Sequence, residues 1–405
     1  MSTWIIEPRE PLIVRDGRPF QRQPGVIAAS LPFPFPSTTA GAARTRAGSK
    51  DGLFVAGSDL STLKDFQIRG PLPVEYNERE EWELLVPAPG DALLLEREKR
   101  LHCKRLVPLK PADDAYIQPF RGENSYGYHL SPVGSPSYDP AKPAGRRPAF
   151  WRWSQFQHWL SRPEQMDEQI FAGDDLGIQA LLLEQRLHVS LERGMMVAQE
   201  GALFETRGLE FTASTDERLK KLSDAHRLAL WLDVEAPDTY PIEAGLDTLG
   251  AERRLVSWQK SPENLLESIR TCPDDLREQI AETRACRLIL LTPAYFQQGY
   301  LPDVAHLEYA GIKPALRAVL ISRPQVVSGW DIEKHSIKPA RRLAPAGSVF
   351  FLNLGQSGNI HAWIEHIWMS CISEERQACR DGFGLAALGT WNGALEEVSA
   401  KEVYQ

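Results

Sequence analysis

The residues with the most chemistry to offer are arginines set on turns. In "RDGRPF" (15–20), two guanidinium groups flank an Asp-Gly turn and a proline fixes the exit. A guanidinium forks onto phosphate oxygens or stacks on a flat ring, so Arg15 and Arg18 suit an anionic ligand. An ion pair from Asp16 that merely stiffens the turn suits the same residues. A second anion site is signalled by "PSTTAGAARTRAG" (36–48). Here Ser37 or Thr38 is expected to cap a helix ending near Gly48, with Arg44 and Arg46 further along. Arg253 and Arg254 in "LGAERRLVSW", and Lys338, Arg341 and Arg342 in "KPARRL", are further basic clusters, for which a solvated face is the plain alternative. "GFGLAALG" (382–389) is a loop poor enough in side chains for its amides to approach a phosphate, or simply a turn. It follows a helix and precedes a strand, and no G-K-[ST] is present, so it is not a nucleotide fingerprint.

Catalytic constellations are incomplete. His306-Leu307-Glu308 has the H-x-E of a zinc deaminase, without a following P-C-x-x-C. His361 and His366 are five apart and point to different faces of a helix. No G-x-S-x-G occurs. His188 or His129 can serve as a general base only if the fold supplies a partner, and Asp174-Asp175 reads as a helix start. The sequence therefore names no catalytic residue, no metal ligand and no cofactor.

Bulk properties narrow the classes further. The 405 residues carry a net charge of −8, which excludes a protein that coats itself in nucleic acid, since counterion release needs a basic footprint. The basic residues are nonetheless clumped, at Arg97/Lys99/Arg100, Lys104/Arg105 and Arg146/Arg147 as well as at the sites above. A local site for a nucleic-acid segment stays open. No apolar run approaches the ~18 residues of a membrane span, and no secretory signal is visible at "MSTWIIEPRE". Five scattered cysteines without a C-x-x-C fit a reducing cytoplasm.

The elements that must position these residues follow from pattern. "TWIIEP" (3–8) and "RLALWLDVE" (227–235) read as strands, "WELLVPAPGDALLLE" (82–96) as a hairpin turning at Pro-Gly-Asp, and "RLHVSLER" (186–193) with "GALFETRGLEFT" (201–212) as another. Residues 242–258 read as a short helix, a turn and a strand. The stretch from about 100 to 185 is long and irregular, an insertion whose Trp151, Trp153, Phe156 and Trp159 either stack on bases or bury it against the body. Residues 261–285 read as a linker helix. Strands follow at 286–296, 316–330 and 347–354, then a helix at 360–374 and a glycine-rich loop and strand at 381–392. Strand, helix, strand pair, helix, loop, strand in the first half, and strand, gap, strand, strand, helix, glycine-rich loop, strand in the second, suggest an α+β protein of two ferredoxin-like halves, 1–260 and 286–405.

The segments "IEPREPLIVRDGRPF", "SLPFPFPSTTAGAARTRAG", "LLVPAPGDAL", "TLGAERRLVSW", "KPARRLAPAGSVFFL" and "GFGLAALGTW" occur in that order. Together they resemble the family of the third Cmr subunit of type III-B CRISPR effector complexes, a Cas-five-like branch of the RAMP superfamily. The resemblance covers nearly the whole chain. One departure is that "LGAERR" carries fewer glycines than the corresponding loop of the superfamily.

The resemblance implies two RRM-like domains with glycine-rich loops. It implies a non-catalytic subunit at the foot of an RNA-guided complex, holding the 5′ tag of the crRNA and touching the large Cas-ten subunit and a backbone RAMP subunit. On that footing the RNA contacts are expected at Arg15, Arg18, Ser37, Thr38, Arg44, Arg46, Arg253, Arg254, Lys338, Arg341, Arg342, Gly382, Gly384, Gly389 and Trp391. The rival classes are a metal-independent crRNA-processing endoribonuclease using His188 or His129, and a purely structural bridge.

Overall fold

The computed structural model describes residues 2–15, 27–28, 30–50, 53–55, 59–77, 79–111, 128–167, 169–172, 174–192, 194–195, 197–214, 225–331 and 336–398. The protein is a mixed α/β chain in which antiparallel strands dominate and helices are short and few. It divides into two compact units, each discontinuous in sequence. The first comprises residues 1–82, 180–261 and 326–342, and the second residues 83–179, 262–325 and 343–405. This is a division by packing, where the expected boundaries at 260 and 286 were a division by chain order.

The first unit is built on four long antiparallel strands. Ser2–Pro8 lies in the middle, between Ala225–Glu235 and Arg254–Lys260, with Gln67–Tyr76 outside Ala225–Glu235. Trp4, Ile5 and Ile6 are all buried, so the strand is an unbroken apolar run, as a strand covered on both faces should be. Numbered by chain order, the spatial order is 2-3-1-4. The helix Pro36–Ala47 fills the first crossover and packs against Gln67–Tyr76 and Gly245–Leu249. Its cap corrects the sequence reading. Phe35 is the N-cap, without a side-chain cap bond, Pro36 opens the helix, and Ser37 and Thr38 lie inside the first turn. Proline has no N–H to lose and its φ is already helical, so it displaces the hydroxyl cap.

Where a short helix was expected near 242, the strand Gly245–Leu249 instead pairs with Arg254–Lys260. An arm of two long strands, Leu182–Leu191 and Ala198–Glu210, also belongs to this unit. So does most of the hairpin formed by Gln325–Asp331 and Ser336–Leu343.

The second unit repeats the strand order. Ala285–Leu290 is central, between Val349–Asn353 and Ala386–Thr390, with Ala315–Leu320 outside Val349–Asn353, all antiparallel. By chain order this is again 2-3-1-4. The first crossover has only the 3-10 turn Val304–Leu307, whereas the last carries the helices Ile360–Ile367 and Arg376–Asp381. The expected linker helix is two helices, Glu263–Arg270 and Asp274–Thr283, broken at Cys272-Pro273.

Residues 83–179 pack in this unit as well. Their aromatic stretch forms the strand Phe150–Arg152 and the helix Trp153–Ser161, with Trp151, Trp153, Phe156 and Trp159 all buried. The expected hairpin at 82–96 is replaced by two pairings. Trp82–Pro87 pairs with Phe150–Arg152, and Ala92–Arg97 turns back on Arg100–Arg105. The Pro-Gly-Asp corner between them is pinned instead. Gly90 donates its N–H to the Gly347 carbonyl at 2.8 Å, and Asp91 is drawn wholly into the interior.

Candidate functional site

The arginine-bearing edge of the first unit is assembled by backbone. Leu12 exchanges two hydrogen bonds with Leu209 of the long arm, at 2.9 and 2.7 Å. On its other side Ile13 accepts the Ala251 N–H at 2.7 Å. Val14 is tied to Ser30, whose hydroxyl accepts the Val14 N–H at 3.0 Å. Segment 12–15 is thus clamped between the arm and the turn that follows Leu249. Arg15 emerges exposed at its end, bridged through its backbone to Ser30. Asp16, Gly17 and Arg18 lie outside the described residues.

The turn itself explains its one glycine. Gly250 has φ +75°, and a Cβ there would sit 2.6 Å from the Ile13 carbonyl oxygen. Glu252 and Arg253 follow at φ 60° and 51°, a conformation that costs a non-glycine residue energy, and Arg253 points into solvent. Its neighbour Arg254 does the reverse. It donates to Glu10 at 2.8 Å and Glu252 at 2.7 Å and is largely covered. Glu10 also accepts the Leu255 N–H at 2.7 Å. That bond and the Arg254 guanidinium hold the Glu10 carboxyl below its ordinary value, and the Glu10 bond raises Arg254.

The helix arginines are also engaged. Arg46 donates to the carbonyls of Glu243 and Leu246 and to Asp247 at 2.8 Å, with its guanidinium 5.6 Å from the Trp258 ring centre. Arg44 reaches the carbonyls of Lys64 and Phe66. These two arginines tie the helix Pro36–Ala47 to its neighbours, and Ser37 and Thr38 are half-buried at its start. Of the remaining basic residues, Lys338, Arg341 and Arg342 lie on the strand Ser336–Leu343. Arg341 is half-buried and Arg342 exposed.

The glycine-rich loop has a different environment. Residues 381–391 are buried throughout. Gly382 closes the helix Arg376–Asp381 at φ +99°, and its carbonyl accepts the Thr292 hydroxyl. Gly384, at φ +83°, passes so close to Ser373 that a Cβ would meet its amide nitrogen at 2.8 Å. Gly389 lies in a strand opposite Arg287, whose guanidinium would be 2.9 Å from a Cβ. Trp391 packs its ring edge-on against Phe351, 5.5 Å between centres. Gly382 is thus accounted for by the helix end, Gly384 and Gly389 by close approaches within the chain, and Trp391 by the core.

The residue behind Gly389 escaped the sequence reading. Arg287 is 3% exposed and ion-paired at 2.6 Å with Asp91, which is fully buried. The same guanidinium donates to the carbonyls of Thr390 and Trp159, and the Trp159 indole N–H donates to Asp91 at 2.9 Å. The signal was present: one arginine inside the apolar run "CRLILL" (286–291) has to be either exposed or paired.

His188, the proposed general base of the rival reading, is on the arm. Its Nε2 is 2.8 Å from the Thr206 hydroxyl, and its ring stacks on Phe204 with centres 5.1 Å apart. His129 is exposed.

Against known structures, a chain of the type III-B Cmr-beta complex bound to cognate target RNA and AMPPnP is similar over 90% of this chain and 88% of its own, at 15% identity and a TM-score of 0.45. A chain of the same type of complex bound to cognate target RNA covers 86% of each chain, with the same identity and score. A chain of the Csm3-Csm4 subcomplex of a type III-A interference complex covers 88% of this chain and 100% of its own, at 9% identity and a TM-score of 0.35. No curated protein matches in sequence. The family model described as CRISPR-associated protein (Cas_Cmr3) matches residues 4–391, and the chain belongs to that family.

Proposed function

We propose that this chain is the non-catalytic subunit of a type III-B RNA-guided effector complex that holds the 5′ tag of the crRNA and bridges the large Cas-ten subunit to a backbone RAMP subunit. The observation that carries the reading is the Ile13–Ala251 pairing. It sets the segment bearing Arg15 against the turn bearing Arg253, and both residues are exposed. Exposed arginines on a clamped edge offer phosphate forks without the entropy of ordering a loose loop. Arg342, on a hairpin of the same unit, extends the set.

Two further features agree. The 2-3-1-4 antiparallel order of each unit is that of a ferredoxin-like, RRM-type sheet, in which one of the two crossover helices has been reduced in each copy. The arm leaves Leu183, Leu187, Val189 and Leu203 exposed, and the pleat and the Val189–Leu203 register place them on one face. An apolar face of this kind suits a protein partner, as a bridging subunit requires. The hydrogen bond and stacking of His188 give it a packing role, which favours the non-catalytic reading over the endoribonuclease.

The test is nuclease protection of the tag in a reconstituted complex containing either the native chain or the Arg15→Ala/Arg253→Ala variant. Tag protection is expected to fall in the variant while the complex still assembles. Equal protection in both would leave a purely structural bridge. Cutting of repeat RNA by the isolated chain, abolished by His188→Ala, would replace the proposal with the endoribonuclease.

A further inference from the structure

We propose that the outer edge of the long arm is a pairing surface for a second copy of this chain, joined antiparallel through residues 182–188 about a two-fold axis at Gln185. The outermost strand of the arm is Leu182–Leu191, and among the described residues no strand pairs with its far side. Its register with Ala198–Glu210 runs unbroken from Leu182 to Val189, and the irregularity comes only beyond. Residues 182–188 contain no lysine and no proline, so the usual means of blunting a strand edge are missing. Leu182, Leu183, Gln185, Arg186 and Leu187 are all exposed, Leu187 at 71%, so neither face of this stretch is covered. Other edges are closed. On the edge strand Gly245–Leu249 of the same unit, Arg46 takes up the Leu246 carbonyl at 3.2 Å. On the edge strand Ala315–Leu320 of the second unit, Ser131 bridges to Ala318 and donates its N–H to the Arg317 carbonyl at 2.8 Å.

The occupant follows from the sequence of the edge, which is complementary to itself. When a strand pairs antiparallel with its own copy about a two-fold axis, one residue faces its counterpart and the others face in reciprocal pairs. With Gln185 at the axis, Glu184 of each copy faces Arg186 of the other on one side of the sheet, and Leu183 faces Leu187 on the other side. Glu184 or Arg186 at the axis would set a charge against itself. Leu183 or Leu187 there would leave Glu184 with no cation opposite. Within one copy Glu184 and Arg186 already pair at 2.9 Å, so a second copy completes a ring of four alternating charges. The pairing uses up the open edge on both copies, and so stops at two.

A strand pair of this length is a small interface of the weak, reversible class, so the test is sedimentation velocity of the full chain over a range of concentration. The native chain should dimerise reversibly, less tightly as salt is raised. Arg186→Glu alone, or Glu184→Arg alone, turns both charge pairs into like pairs and should weaken the dimer about tenfold or more. An equimolar mixture of these two variants should dimerise like the native chain, because each supplies the charges the other lacks. The exchange Glu184→Arg/Arg186→Glu should dimerise as well, and either recovery shows that the single variants fold. A native chain that stays monomeric throughout would overturn the proposal. So would a dimer indifferent to the single reversals, or one that the mixture fails to restore. None of the residues expected to hold the tag takes part, so this outcome is separate from that of the tag experiment.

Discussion

The loops leading into the last strand of each unit differ in the opposite sense from their sequences. Gly382–Leu385 is rich in glycine and buried, while the turn after Leu249 has a single glycine and presents Arg253 to solvent. In the first unit Gly250 is spent on the approach to Ile13, and the strained positions after it display charge. In the second, the glycines are spent on a helix end and on the passage past Ser373, and Gly389 on seating Arg287. A glycine reports that something comes close. Within one chain that something is more often the chain itself than a phosphate.

The arginines divide in the same way. Those of the first unit, Arg46 and Arg254, are held at the rim by carbonyls and carboxylates. Arg287 of the second is sealed into the core against Asp91. Removing a sealed partner leaves a buried charge uncompensated, so Arg287→Ala or Asp91→Ala should cost about 3–5 kcal/mol in denaturant unfolding. A loss below ~1 kcal/mol would mean that the pair is not closed to water. Next in size is Gly384→Ala, which adds a Cβ 2.8 Å from a backbone nitrogen at positive φ. It should cost roughly 2 kcal/mol, with RNA binding by the folded fraction unchanged. A selective loss of RNA binding with normal stability would return the glycine loop to the ligand and undo the comparison.

Thiol chemistry sharpens it further, because all five cysteines fall in the second unit. Burial pushes Cys272 up to about 12 and Cys379 to about 11, and raises Cys103 and Cys286 as well. At pH 8 these four should remain thiols and label slowly with maleimide in the native chain, as followed by mass spectrometry. In the Arg287→Ala variant they should label fast, which gives a reading of the second unit alone. The smallest effect belongs to the first unit. The folded Glu10 carboxyl is lowered, so its contribution is present at neutral pH and is lost as the pH falls below 4.5 towards the lowered value. Glu10→Gln should lower the melting temperature at pH 7 by roughly 1–2 °C and flatten its decline on the acid side.

Much of the fold was legible because buried strands leave apolar runs. "TWIIEP", "RLALWLDVE", "CRLILL" and "GSVFFLNL" each contain or overlap an observed central strand. The Pro-Gly-Asp corner misled because a hairpin turn and a pinned corner have the same local chemistry. What distinguishes them is Gly347 and Arg287, some 200 or more residues away. The engagement of Arg46 was hidden for the same reason, its partners Glu243 and Asp247 being distant in sequence. Arg15 and Arg253 could be named as basic residues on turns, but only the Ile13–Ala251 pairing shows that their two segments are neighbours.

The central claim is that the tag is held by the exposed arginine edge of the first unit. A crRNA carrying a photoreactive nucleotide at each tag position, assembled into the complete complex, tests it directly. The account predicts crosslinks to peptides spanning 10–15, 250–254 and 339–342, weakened by Arg15→Ala/Arg253→Ala. Crosslinks confined to residues 382–391, or to other subunits alone, would contradict it.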